Sequence, residues 1–334
     1  MAWTNPYGIN DFADKVFDVS IESLRHKPWF WWFFLLFIDD PCTPDTPRQF
    51  MLAWTKKDAK EIYCNGREFS FEKRVSEGRD GVVIGWYFDG SRMHHNLLLD
   101  KCCLDITDAS LSTSSPATNF EVSPGKSRID VGDRFMFDII PDSDHGFLEP
   151  AYYKDNIIGE LGYSMLSFNR RAVAGTIDGE KVTGSAYFQR VFVNAPVVPW
   201  YWGVFHFKNG GALTYYMPYI LGKSLRREVR FFDGVEMRVY ESVSITRVPG
   251  KLPSFKVRAG NGREEIAFNV EPYSHSLWTL ESRPLGLFKS RLHYNEYPAM
   301  IKGLTVARDG SEIVTQEVLG EAVGNAEHTT GILF

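Results

Sequence analysis

The sequence predicts an all-β fold of antiparallel strands, on three observations. Short runs rich in Val, Ile, Phe, Tyr and Trp alternate with turn signals through both halves of the 334-residue chain. Eight of those signals pair Asn or Asp with Gly: Asn65-Gly66, Asp80-Gly81, Asp89-Gly90, Asp178-Gly179, Asn209-Gly210-Gly211, Asp233-Gly234, Asn261-Gly262 and Asp309-Gly310. Such pairs accept the positive φ that tight hairpin turns demand. No stretch of 3.6-residue periodicity runs between Ala53 and the C-terminus, which argues against an α/β fold with a parallel sheet. The aromatic content of 15%, with 9 Trp, 15 Tyr and 25 Phe, suits pleated, half-buried surfaces. Most of these rings are expected to be sheet core.

Taken in order, Asp11–Leu24 can form a short amphipathic helix. The run Trp29–Ile38, WFWWFFLLFI, is half the roughly 20 residues that a spanning helix needs. It lies too far from Met1 for an ordinary signal peptide and lacks a small-residue cleavage site after it. A buried strand fits best, with peripheral membrane contact left open. Leu111–Val122, LSTSSPATNFEV, is rich in Ser, Thr and Pro and is expected to be an exposed loop. The turn at Asp178-Gly179 divides the chain into segments 1–180 and 181–334, each long enough for a barrel of its own.

Bulk charge excludes one class of function. Net charge is −5, and the densest basic patch, KSLRREVR at Lys223–Arg230, comes with no nucleic-acid motif, so no nucleic-acid partner is expected. Cys42, Cys64, Cys102 and Cys103 show neither CxxC nor Cys/His spacing, which points to a reduced, cytoplasmic protein without a zinc site. His94-His95 would point to opposite faces of a strand, and Asp142-Ser143-Asp144-His145 lacks the spaced ligands of a calcium loop, so no metal is predicted. No nucleotide-binding or serine-hydrolase motif is present, and no cofactor is expected.

Four segments resemble a known family. They are Pro28–Phe34 (PWFWWFF), the hairpin Arg171–Gly184 with Gly175, Thr176, Gly179, Val182 and Gly184, then Trp200-Tyr201-Trp202 followed by Asn209-Gly210-Gly211, and Tyr294-Asn295-Glu296-Tyr297. Their order and spacing resemble the lipocalin-like family that includes AttH and the hydroxyneurosporene synthases (carotenoid 1,2-hydratases). The resemblance implies two lipocalin-like (calycin-type) antiparallel β-barrels or half-open sandwiches in tandem. It also implies an isoprenoid-, lipid- or polyketide-like ligand and a hydration, cyclisation or isomerisation of hydro-lyase or isomerase type, run without a cofactor. The alternative is a non-catalytic carrier of lipids or hydrophobic metabolites.

One departure bears on that activity. Where the family commonly carries Asp-His, this chain has Gln189-Arg190. Gln cannot ionise and Arg stays protonated, so the pair cannot shuttle protons but can orient a polar head group. A rim salt bridge is the structural alternative. Alternation gives Gln189 to one face with Tyr187, and Arg190 to the other. His206 shares a face with Trp200 and Trp202, as a proton-transfer group of lowered pKa or a hydrogen-bonded core residue. Glu296, between Tyr294 and Tyr297, is either a carboxyl of raised pKa or half of an ion pair with Arg291 or Lys302. Glu271, Tyr273 and His275 form a further period-two set. The candidate catalytic residues are thus Gln189, Arg190, His206 and Glu296, and the candidate ligand-binding residues Trp32, Tyr187, Trp200, Trp202 and Tyr294.

Overall fold

A computed structural model describes residues 29–40, 42–57, 59–72, 79–107, 110–123, 126–141, 151–158, 161–220, 222–283 and 289–333. The expected helix Asp11–Leu24 and the acidic turn Asp142–His145 lie outside them. The first thirteen strands are β1 (Trp29–Ile38), β2 (Gln49–Lys57), β3 (Glu61–Cys64), β4 (Arg67–Ser70), β5 (Asp80–Phe88), β6 (Met93–Ile106), β7 (Leu111–Ser114), β8 (Thr118–Val122), β9 (Ser127–Val131), β10 (Phe135–Pro141), β11 (Ala151–Ile158), β12 (Leu161–Ile177) and β13 (Glu180–Asn194). All but β3 and β4 form one sheet, ordered β10-β9-β8-β7-β6-β5-β2-β1-β13-β12-β11. Pairing of β10 with β12 closes it into a ten-stranded antiparallel barrel, with β11 outside the ring.

The remaining strands are β14 (Trp200–Phe207), β15 (Ala212–Ile220), β16 (Lys223–Ser224), β17 (Glu228–Phe232), β18 (Met237–Tyr240), β19 (Ser242–Val248), β20 (Ser254–Gly260), β21 (Glu264–Pro272), β22 (Ser276–Ser282), β23 (Ser290–Arg308), β24 (Ser311–Thr315) and β25 (Ala322–Ile332). Their main path runs β18-β17-β15-β14-β25-β23-β21-β20-β19 and curls around its own core of Phe205, Tyr215, Phe231, Phe255 and Phe268. Its end strands β18 and β19 do not pair, so this second barrel is half-open. Across the seam, the buried Glu264 accepts from Tyr240 at 3.2 Å and pairs with Arg238 at 3.4 Å, and within the sheet it pairs with Arg308 of the neighbouring β23. The all-β, lipocalin-like expectation therefore holds.

The expected boundary at residue 180 is corrected. The turn Asp178-Gly179, with φ of 50° and 83°, is a hairpin inside the first sheet, because β13 pairs with both β12 and β1. The chain changes sheet between Asn194 and Trp200. Gly184 lets β13 approach β1 closely, since a Cβ there would strike the carbonyl oxygen of Phe37. Leu111–Val122 is likewise not a loop. It forms β7 and β8, in which every second residue is buried, and Phe120 stacks on Trp54 at 3.8 Å. Of the eight turn signals only Asp80-Gly81 falls inside a strand, at the start of β5.

Strand β1 decides how the halves meet. Its even residues Phe30, Trp32, Phe34, Leu36 and Ile38 fill the first barrel, while Phe33, Leu35 and Phe37 face the second half. A strand buried on both faces must be apolar throughout, which is why WFWWFFLLFI shows no alternation. Only Trp31 of this run is partly exposed. The halves also exchange structure, since the hairpin β3–β4 pairs with β22 of the second sheet through Leu280 and Cys64. No helix among the described residues is long and apolar enough to cross a membrane.

Candidate functional site

Each barrel interior holds a packed apolar core, and a cavity lies between the barrels. It measures about 130 Å³. One wall is the outer face of the first barrel: Trp29, Trp31 and Phe33 of β1, Val82 and Ile84 of β5, and Gln189, Val191 and Val193 of β13. The other is the outer face of the second, with Trp200, Trp202, Tyr216, Tyr294 and Glu327. Period-two alternation makes this possible, because each strand sends one residue set inward to its core and the other into the shared layer.

Strand register builds an acidic pair in that layer. On β14, β25, β23 and β22 the residues Trp202, Glu327, Glu296 and Ser276 lie side by side in one row. Glu296 is fully buried and Glu327 is 5% exposed. Glu296 Oε2 accepts from the indole nitrogens of Trp278, at 2.9 Å, and Trp86, which reaches across from the first barrel. Glu327 Oε2 accepts from Trp200 Nε1 at 2.8 Å, and its Oε1 from the Tyr294 hydroxyl. Glu296 Oε1 has no hydrogen-bond partner among the described residues.

Burial raises the pKa of both carboxyls above the ordinary carboxylate range, and the neighbouring Glu296 charge raises Glu327 further. The indole and phenol donors pull the other way without cancelling the shift. No Lys, Arg or His is among the described residues lining the cavity. Two close carboxyls without a counter-cation cannot both ionise cheaply, so the pair retains a proton in the neutral range. Because Glu327 lines the cavity, a carboxyl of raised pKa stands on a wall that is mainly apolar and aromatic, with Thr55 and Gln189 as further polar members.

The predicted residues divide by strand face. Tyr187, Gln189, Trp200, Trp202 and Tyr294 all belong to the inter-barrel layer, and Glu296 lies just behind the cavity wall. Tyr187 donates to Gln189 Oε1 at 2.7 Å, and its ring lies 5.3 Å from Trp202. Three positions are corrected. Trp32 is fully buried in the first barrel, stacked on Phe30 at 6.2 Å, because it has the inward phase of β1. Arg190 also points into that barrel, where it donates to Ser164 at 3.1 Å and lies over the Phe30 ring. His206 is a hydrogen-bonded core residue away from the cavity, with Nδ1 at 2.7 Å from Ser185 Oγ and Nε2 at 2.6 Å from the Asn169 carbonyl. Glu296 is held by indoles, in place of the expected alternative with Arg291 or Lys302. In the set Glu271, Tyr273 and His275, Tyr273 joins the halves by accepting from Gln49 Nε2 at 2.6 Å. Glu327, Trp86 and Trp278 are the members that sequence reasoning missed.

No protein-family model and no curated protein matches the chain. Solved structures do. A candidate AttH protein from Nitrosomonas europaea superposes with a TM-score of 0.54 at 13% identity, over 90% of this chain and 92% of that one. The chain shares the AttH-type, lipocalin-like fold. CghA solved with Sch210972 gives a TM-score of 0.50 at 9% identity, covering 92% of this chain and 88% of that one. Kievitone hydratase from Nectria haematococca gives 0.49 at 12% identity, covering 91% and 88%.

Proposed function

We propose that this protein binds an apolar small molecule between its two barrels and protonates it with Glu327, in a cofactor-independent hydration, cyclisation or isomerisation. The observation that carries the reading is the buried Glu296–Glu327 pair, with Glu327 on the wall of an aromatic cavity and Glu296 just behind it. Burial keeps a carboxyl protonated where an exposed one would have ionised, which is how a general acid is made available near neutral pH. The chemistry is balanced without a redox partner. The Glu327 O–H bond breaks and a C–H bond forms on a substrate double bond. The developing positive charge is stabilised by the faces of Trp200 and Trp202. Water, an internal oxygen or loss of another proton then completes the reaction, and the pair recovers its proton. Tyr294, beside both carboxyls, donates to Glu327 and holds it in position.

A second reading is favoured by one feature. Both oxygens of Glu327 already accept hydrogen bonds, from Trp200 and Tyr294, as a purely structural carboxyl would. In that case the protein is a carrier. The two readings separate in heavy water. The protein is incubated in D2O with a panel of small alkenes and enones, and products are analysed by mass spectrometry. Catalysis predicts deuterium on carbon, lost by about 10²–10⁴-fold in Glu327→Gln; bound but unlabelled ligand supports the carrier. We place either activity in the cytoplasm, where the four free thiols would stay reduced.

A further inference from the structure

The cavity wall carries more information about its ligand than an apolar surface alone. Gln189 stands on it with its amide pinned at one end, because Tyr187 donates to Oε1 at 2.7 Å. Tyr187 itself is 1% exposed and wedged against Trp202, so this hydroxyl is fixed. An amide held by its oxygen presents its NH2 group elsewhere, and Gln189 Nε2 has no partner among the hydrogen bonds of the described residues. Thr55 and Glu327, two other polar groups on the wall, are already engaged. Thr55 donates to the Phe30 carbonyl at 3.0 Å, and Glu327 accepts from Trp200 and Tyr294.

Charge and size narrow the ligand further. The described lining contains no cation, and it contains a carboxyl that is already hard to ionise. An anionic ligand would bring uncompensated charge into that space. The volume of about 130 Å³ is close to that of a cavity able to hold a single benzene ring.

We propose that the cavity selects a neutral, ring-sized molecule carrying a carbonyl oxygen, and that Gln189 is the specificity residue that donates to this oxygen, positioned by Tyr187. This deepens the reading of the cavity as a ligand site and rests on it. A donor on the carbonyl also suits the proposed chemistry, because it draws electron density from a conjugated double bond and fixes which carbon faces Glu327.

The test uses three probes of matched shape: acetophenone, ethylbenzene and benzoate, titrated calorimetrically into the full-length protein at pH 8. The wild type is expected to bind acetophenone about tenfold tighter than ethylbenzene, the contribution of one neutral hydrogen bond. Benzoate is expected to bind more weakly than either. In Gln189→Leu the acetophenone preference disappears while ethylbenzene still binds, which shows that the cavity has kept its shape. Tyr187→Phe lowers the preference partially. The carbonyl stretch of bound 13C-labelled acetophenone is expected at lower frequency in the wild type than in Gln189→Leu, a signature that a merely structural Gln189 would not give. Equal binding of acetophenone and ethylbenzene, tighter binding of benzoate, or a preference that survives Gln189→Leu overturns this inference and leaves the ligand site standing. Failure of all three probes to bind overturns the ligand site itself, and this inference with it.

Discussion

The interior of the first barrel and the layer between the barrels are made from alternate residues of the same strands, yet they differ in kind. In the interior, Trp54 stacks on Phe120 at 3.8 Å, and Phe34 meets Phe188 at 4.6 Å. Rings fill that space. In the layer, Trp86, Trp200 and Trp278 spend their indole N–H groups on two carboxyls, and a cavity remains beside them. Aromatic content therefore does not mark the site. The mark is a set of rings turned so that their polar edges converge on buried acids, which is what a large apolar side chain with one donor can supply.

The largest expected effect tests whether neighbours on β1 really serve the two regions. Trp32→Ala empties a fully buried core position and is expected to cost about 3–5 kcal/mol in urea denaturation. Trp31→Ala, on the cavity wall and partly exposed, is expected to cost about 1–2 kcal/mol while weakening apolar ligand binding. Equal losses would erase the distinction. His206→Ala sharpens it, because His206 lies in the shared layer but away from the cavity. Loss of two buried hydrogen bonds and of packing against Phe37 is expected to cost about 2 kcal/mol, with ligand affinity per folded molecule unchanged. Altered affinity would place His206 in the site after all.

The last effect is electrostatic and belongs to the layer alone. Glu296 and Glu327 have raised pKa values in the folded protein, so between the ordinary carboxylate range and the raised values the folded state holds protons that the unfolded chain has lost. Stability from this source is complete at low pH and falls as pH rises through that window, by at most about 1.4 kcal/mol per pH unit for each proton. Glu327→Gln should flatten this part of the profile, so the wild-type stability relative to the variant declines from pH 5 to pH 8. A difference independent of pH would contradict the raised pKa values.

The fold was legible because hairpins leave local marks. Seven of the eight Asn/Asp-Gly signals lie outside strands, among them Asp178 and Asp309, both at φ of 50°. Asp80-Gly81 misled because its glycine serves a different need: a Cβ at Gly81 would crowd Leu104 and the Thr55 carbonyl. Glu296 was legible from its aromatic neighbours in sequence. Glu327 was not, since its neighbours Ala326 and His328 include no Trp or Tyr and its partners Trp200 and Tyr294 lie 127 and 33 positions away. Such a pair exists only once strand register is known. Trp32 and Arg190 were misplaced for a related reason. Alternation separates the two faces of a strand, but a run that is apolar on both faces does not say which face is the interior.

The account rests on a proton held between the barrels, and the carboxyls themselves report it most directly. In protein labelled with 13C at the glutamate Cδ, NMR at pH 7 should show a protonated carboxyl in the wild type that titrates well above the ordinary carboxylate range and is absent or shifted in Glu327→Gln. Two carboxylates that both titrate in the ordinary range would contradict the account, leaving an aromatic cavity without an acid.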